Sequence, residues 1–171
     1  APPSAEELSK RAAATAATHE IQIGHGKPET FFVAPFTEKD AIPTGAKITP
    51  LQAATLPKAL EGVELALKSY PKNFFTSIAK AIFLCDSVVI NDNPVAGFAG
   101  PAWMVIAAPS IQGEEAVVEI VRKGIHHHTG ALAWRRSEAL QTRWRGLMPL
   151  DWQPAQTAAD ALRAREKEEE S

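Results

Sequence analysis

The runs Ile82-Phe83-Leu84 and Val88-Val89-Ile90, followed by Asn91-Asp92-Asn93-Pro94 and then by Trp103-Met104-Val105-Ile106-Ala107, decide the fold. Each run is short and rich in β-branched or aromatic residues, and each is bounded by turn formers, which is the pattern of strands in a small sheet. Gly97-Phe98-Ala99-Gly100-Pro101 reads as a turn between them, since it lacks the Lys-Ser/Thr that a phosphate loop requires. Cys85, the single cysteine, follows the first run and reads as a small buried hydrophobe. It permits no internal disulfide, and its count fits a reducing or an oxidising compartment equally.

Working outward, the pattern changes period on both sides. Upstream, between Pro50 and Tyr70, Leu56, Leu60, Val63, Leu67 and Tyr70 recur at spacings of four and three, one stripe of an amphipathic helix. Pro71 is suited to open a further helical turn that buries Phe74 and Phe75. Downstream, Gly113 to Arg136 is again helical, with Val117, Val121, Ile125, His128 and Leu132 on its stripe, so His128 is expected on or near the buried face. A second helix is expected from Ser137 to Trp144, and a structured turn from Met148 to Pro154. Farther out, Ile21 to Phe36 reads as two short strands with turns at Gly24, Gly26, Pro28 and Pro35.

Ser4 to Ala17 has a capping serine, early carboxylates and many alanines, hence a helix whose apolar face is thin and which packs on a partner or lies on the surface. The chain thus divides into an Ala-rich helical segment, 1–18, a main domain, 19–154, and a charged tail, 155–171, whose terminal glutamates oppose the helix dipole. The expected class is α+β: a single domain with a small mixed or antiparallel sheet packed on a long helix and a histidine-bearing helix.

Composition agrees. The 171 residues are 45% hydrophobic and 22% charged, which suits one globular core and excludes a disordered or collagen-like chain. A domain of this length buries roughly 70% of its unfolded surface, enough without disulfides or a structural metal. Lys and Arg total 18 against 20 Asp and Glu, a net charge of -2 that gives no electrostatic footprint for nucleic acid. The apolar runs are broken by Lys80, Gly97 and Gly100 and fall short of the ~18 residues of a membrane-spanning helix. The chain begins Ala1-Pro2-Pro3-Ser4, as a mature chain does after removal of a signal peptide, so an exported, periplasmic or extracellular protein is expected.

Chemistry concentrates in Ile125-His126-His127-His128-Thr129-Gly130-Ala131. Imidazole is a common ligand of zinc and copper, which makes His126, His127 and His128 the candidate metal ligands. Yet successive helical residues point about 100° apart, so three in a row cannot converge on one ion in a regular helix. The positions four residues on are Gly130, Ala131 and Leu132, none a ligand; further donors would come from His19, His25 or Glu138, candidates by residue type alone. Two readings stand, helical histidines that pack or hydrogen-bond and a zinc or copper site completed from elsewhere. Glu114 and Glu115 read as first-turn carboxylates favourable to the helix dipole. Arg135, Arg136, Arg143 and Arg145 with Trp134 and Trp144 read as a solvated face with aromatic packing, or as a surface for a carboxylate or partner protein.

The order of these features, from Tyr70-Pro71 and Phe74 through the strands and Ile125-His126-His127 to Trp144 and Leu150-Asp151-Trp152, resembles a group of secreted zinc-binding metallopeptidases that look like minimal zincins. The resemblance covers about Leu51 to Trp152. It implies a zincin-like domain in which the family's first zinc histidine falls on His127. The general-base glutamate falls on His128 and the second zinc histidine on Ala131. A zincin's histidine pair fixes the ion, while the glutamate deprotonates the bound water. Loss of such a base alone costs on the order of 10²–10⁴-fold in rate. With two of these three positions changed, the resemblance implies a non-catalytic relative that serves as a binding or structural subunit in an exported protein assembly, with protein partners and no cofactor. The alternative is a zinc- or copper-binding protein or peptidase that uses the His126–His128 cluster.

Overall fold

A computed structural model of the chain describes residues 3–31, 45–100 and 102–148. The fold is α+β. Its centre is β3, Ala81–Ile90, in which the two apolar runs join into one strand of 10 residues. Asp86 and Ser87 interrupt the apolar sequence but not the strand: β2, Ala46–Pro50, pairs antiparallel alongside, with Thr49 opposite Ser87 and Pro50 opposite Cys85, and the register shift between them leaves Asp86 as a bulge. Strand β1, Gln22–His25, runs parallel to the first half of β3 on the same edge. On the other edge β6, Trp103–Ala107, lies parallel to residues 81–85, and β4, Asn93–Val95, returns antiparallel to residues 88–90. Asn91 and Asp92 make that return with φ of 50° and 66°, left-handed values that Asn and Asp tolerate better than most residues.

Gly97–Ala99, expected as a turn, is instead β5, an antiparallel strand outside β6. Gly97 explains why the sequence misleads. Its φ of 145° suits glycine, and a Cβ there would collide with the Val105 carbonyl oxygen. A glycine that looks like a turn signal is what lets β5 approach β6.

Alternation along β3 and β6 separates two apolar layers. Ile82, Leu84, Met104 and Ile106 face the main core, whereas Ala81, Phe83, Cys85, Trp103, Val105 and Ala107 form a second cluster with Phe31, Ile48 and Phe98. Burial on both faces explains why these strands read as continuous apolar runs rather than as alternating ones.

The main core is closed by helices. Helix α3, Leu56–Leu67, buries Leu56, Leu60, Val63 and Leu67, the stripe expected from their spacing, and Tyr70 continues it beyond the helix end. A 3-10 turn at Phe74–Ser77 then buries Phe74 and Phe75. Helix α4, Glu114–Arg136, packs on α3 and on β6. Ser137 ends it and starts α5, Glu138–Leu147: its backbone N–H donates to the Ala133 carbonyl, and its hydroxyl accepts from the Leu140 N–H. At the other end of the chain, α1, Ala5–His19, carries the full capping box of Ser4 and Glu7. It is not left on the surface: Leu8 and Ala12 join the main core, and Arg11 pairs with Glu64 of α3.

Of the two strands expected between Ile21 and Phe36, the described residues contain β1, and Phe31 ends a short helical segment, α2, Pro28–Phe31, instead of entering a strand. Proline at its first position favours the helical turn. Residues 32–36, the expected turn at 149–154 and the tail 155–171 lie outside the described residues.

Candidate functional site

The three histidines of α4 part company, as helical geometry requires. His126 is completely buried, His127 is exposed and His128 is half-buried. His128, expected on or near the buried face, lies at its edge, half-buried, while the innermost histidine is His126. Helix α4 is covered from two sides, by α3 and by the sheet, so its buried face is wider than one stripe. It includes Val118, His126 and Thr129 besides the expected Val117, Val121, Ile125 and Leu132.

His126 belongs to a polar cluster sealed inside the core. Its Nδ1 lies 2.9 Å from the Tyr70 hydroxyl oxygen, which also accepts a hydrogen bond from Trp144 Nε1 at 3.2 Å. An indole N–H can only donate, so it takes one lone pair of the phenol and leaves the phenol proton available to His126. The Met148 sulfur lies 3.8 Å from the same hydroxyl. Phe74 and Phe75, each with its ring centroid 4.8 Å from that of Tyr70, wall the cluster with hydrocarbon. Thr129, one turn beyond Ile125, donates its hydroxyl to the Ile125 carbonyl at 2.6 Å. Gly130 makes room for the last member, since a Cβ there would fall on the Trp144 indole.

Burial sets the protonation states. The His126 imidazole is pushed down to about 4 by desolvation, with the Arg122 guanidinium adding repulsion, so it is neutral at physiological pH. Desolvation pushes the Tyr70 phenol far up, despite the hydrogen bond from Trp144 that would favour the phenolate. A neutral imidazole bonded to a neutral phenol, both shut away from water, is an anchor rather than an acid–base pair.

His128 sits on the sheet side of the helix. Its Nε2 lies 3.2 Å from the place a Cβ of Gly97 would take, so the ring rests against β5. Desolvation, then the neighbouring His127 and Arg135, lowers it to about 4. The rings of His127 and His128 are neighbours, with centroids 5.1 Å apart in an edge-on arrangement.

The remaining donors are scattered. His19 ends α1, edge-on to Phe75 at 6.5 Å; His25 is on β1, across β3 from β6 and β5; Glu138 opens α5. Among the described residues, no group of three His, Cys, Asp or Glu side chains is placed to hold a metal ion. Gly124 is closely packed, because Ile106 of β6 fills the position with its nearest carbon 3.2 Å from where a Cβ would be. The Cys85 thiol is buried and pushed up to about 12 by desolvation and then by Asp86, which makes it unreactive.

The arginines bear out aromatic packing. Arg143 lies over the Phe74 ring at 5.3 Å and Arg145 over Trp134 at 4.8 Å, both on the exposed α5. Glu115 pairs with Lys58 of α3 at 3.3 Å. A groove of about 270 Å³ runs between α1 and α3, lined by Ala14, Thr15, Thr18, His19, Glu64 and Lys68, and none of the α4 histidines reaches it.

The sequence did not foresee that Tyr70, His126 and Trp144 meet. The signal was present in another form. A tyrosine on a buried stripe and a tryptophan in an amphipathic helix each bring a polar group that needs a partner inside. A histidine next to Ile125 was available to both. Compared with known proteins, the chain matches no family model, no curated protein and no solved structure.

Proposed function

We propose that this chain is a metallopeptidase-like domain that binds rather than cleaves, a non-catalytic binding or structural subunit of an exported protein assembly. The observation that carries the reading is the division of the histidine cluster. His126 is consumed by the Tyr70 and Trp144 network, while the exposed His127 shares the helix with His128 and Ala131 where a zincin needs glutamate and histidine. Scaffold without catalytic set is what remains when a domain is kept for its surface. Among the described residues no helix is long and apolar enough to cross a membrane.

A second reading draws on the adjacent rings of His127 and His128. Two neighbouring imidazoles, one already neutral, are a start toward a zinc or copper site. Elemental analysis of untagged protein, with His127→Ala in parallel, separates the two. Binding without catalysis predicts no stoichiometric metal in either sample. About one zinc or copper per chain that disappears in His127→Ala would overturn it in favour of metal handling. Pull-downs with and without residues 1–17 and 155–171 test the partner role directly: unchanged capture of every partner by the truncated chain would remove these segments as contact surfaces.

A further inference from the structure

We draw no further inference here: the strongest candidate, the exposed arginine-bearing face of the α4–α5 corner where Arg143 lies over Phe74 and Arg145 over Trp134, carries nothing further because nothing in the structure shows what covers it.

Discussion

The α3–α4 pair is joined in two different ways along its length. Toward the start of α4 the contact is made by shape. Gly62 of α3 lies beneath Val118 and Val121, where a Cβ would come within 2.7 Å of the Val118 carbonyl oxygen and 2.8 Å of the Val121 Cβ. Toward the end of α4 it is made by hydrogen bonds, with Tyr70, His126 and Trp144 tied through one phenol oxygen. The apolar half tolerates many arrangements of similar volume, whereas the polar half requires the Tyr70 hydroxyl to meet His126 and Trp144 at once. The second half therefore does more to fix which way α4 and α5 lie on α3.

The contrast can be broken at its largest member first. Trp144→Ala removes a fully buried indole and the phenol's donor together. It should lower unfolding free energy by about 3–5 kcal/mol, as measured by denaturant melts. A loss under about 1 kcal/mol would show that α5 is not held by this cluster.

Acid acts on the same end of the helix. His126 titrates near 6.5 when unfolded and about 4 when folded, so the unfolded chain binds the proton first. Stability is full above about pH 6.5, falls as pH drops toward 4, and loses no more from this group below that. The loss amounts to at most about 3 kcal/mol. Melts of His126→Asn, which keeps a hydrogen-bonding group without titrating in this range, should show a shallower pH slope than wild type, with His128, His19 and His25, which burial also lowers, contributing to what remains. Identical slopes would mean that His126 is already hydrated or charged in the folded protein.

In the shape-packed half, Gly62→Val should cost about 1–3 kcal/mol by overpacking, with no change in the pH slope. Finding the slope altered would mean that the two halves are mechanically coupled. Smallest of all, His127→Ala should change stability by less than about 0.5 kcal/mol, because the ring is exposed. Such a pair of outcomes at adjacent residues, a flattened pH slope at 126 and a negligible change in stability at 127, is the sharpest form of the comparison.

Much of the fold was legible because its signals are local. Leu56, Leu60, Val63 and Leu67 carry the helical period unaided, and Trp103 to Ala107 could hardly be anything but a strand. Less legible was whatever depends on a neighbour. Ile82–Leu84 and Val88–Ile90 become one strand because β2 pairs across the polar junction, and Gly97 belongs to a strand because β6 lies close beside it. For the candidate site, the divergence of three consecutive histidines followed from 100° per residue. Which of them turned inward did not, because that depends on what lies opposite.

By itself, then, the sequence determined the capped helix α1, the buried stripe of α3, the helical character of α4 and α5, the strand character of residues 82–84, 88–90 and 103–107, and the impossibility of His126, His127 and His128 sharing an ion on a regular helix. Only the tertiary structure decided the strand order, the edge strand at Gly97, and the choice of His126 as the inner histidine. The physical reason is range. Helical period and capping involve groups within about four residues of each other, whereas Tyr70, His126 and Trp144 lie 56 and 74 residues apart as hydrogen-bonded pairs, and their need for one another becomes specific only when the core closes around them.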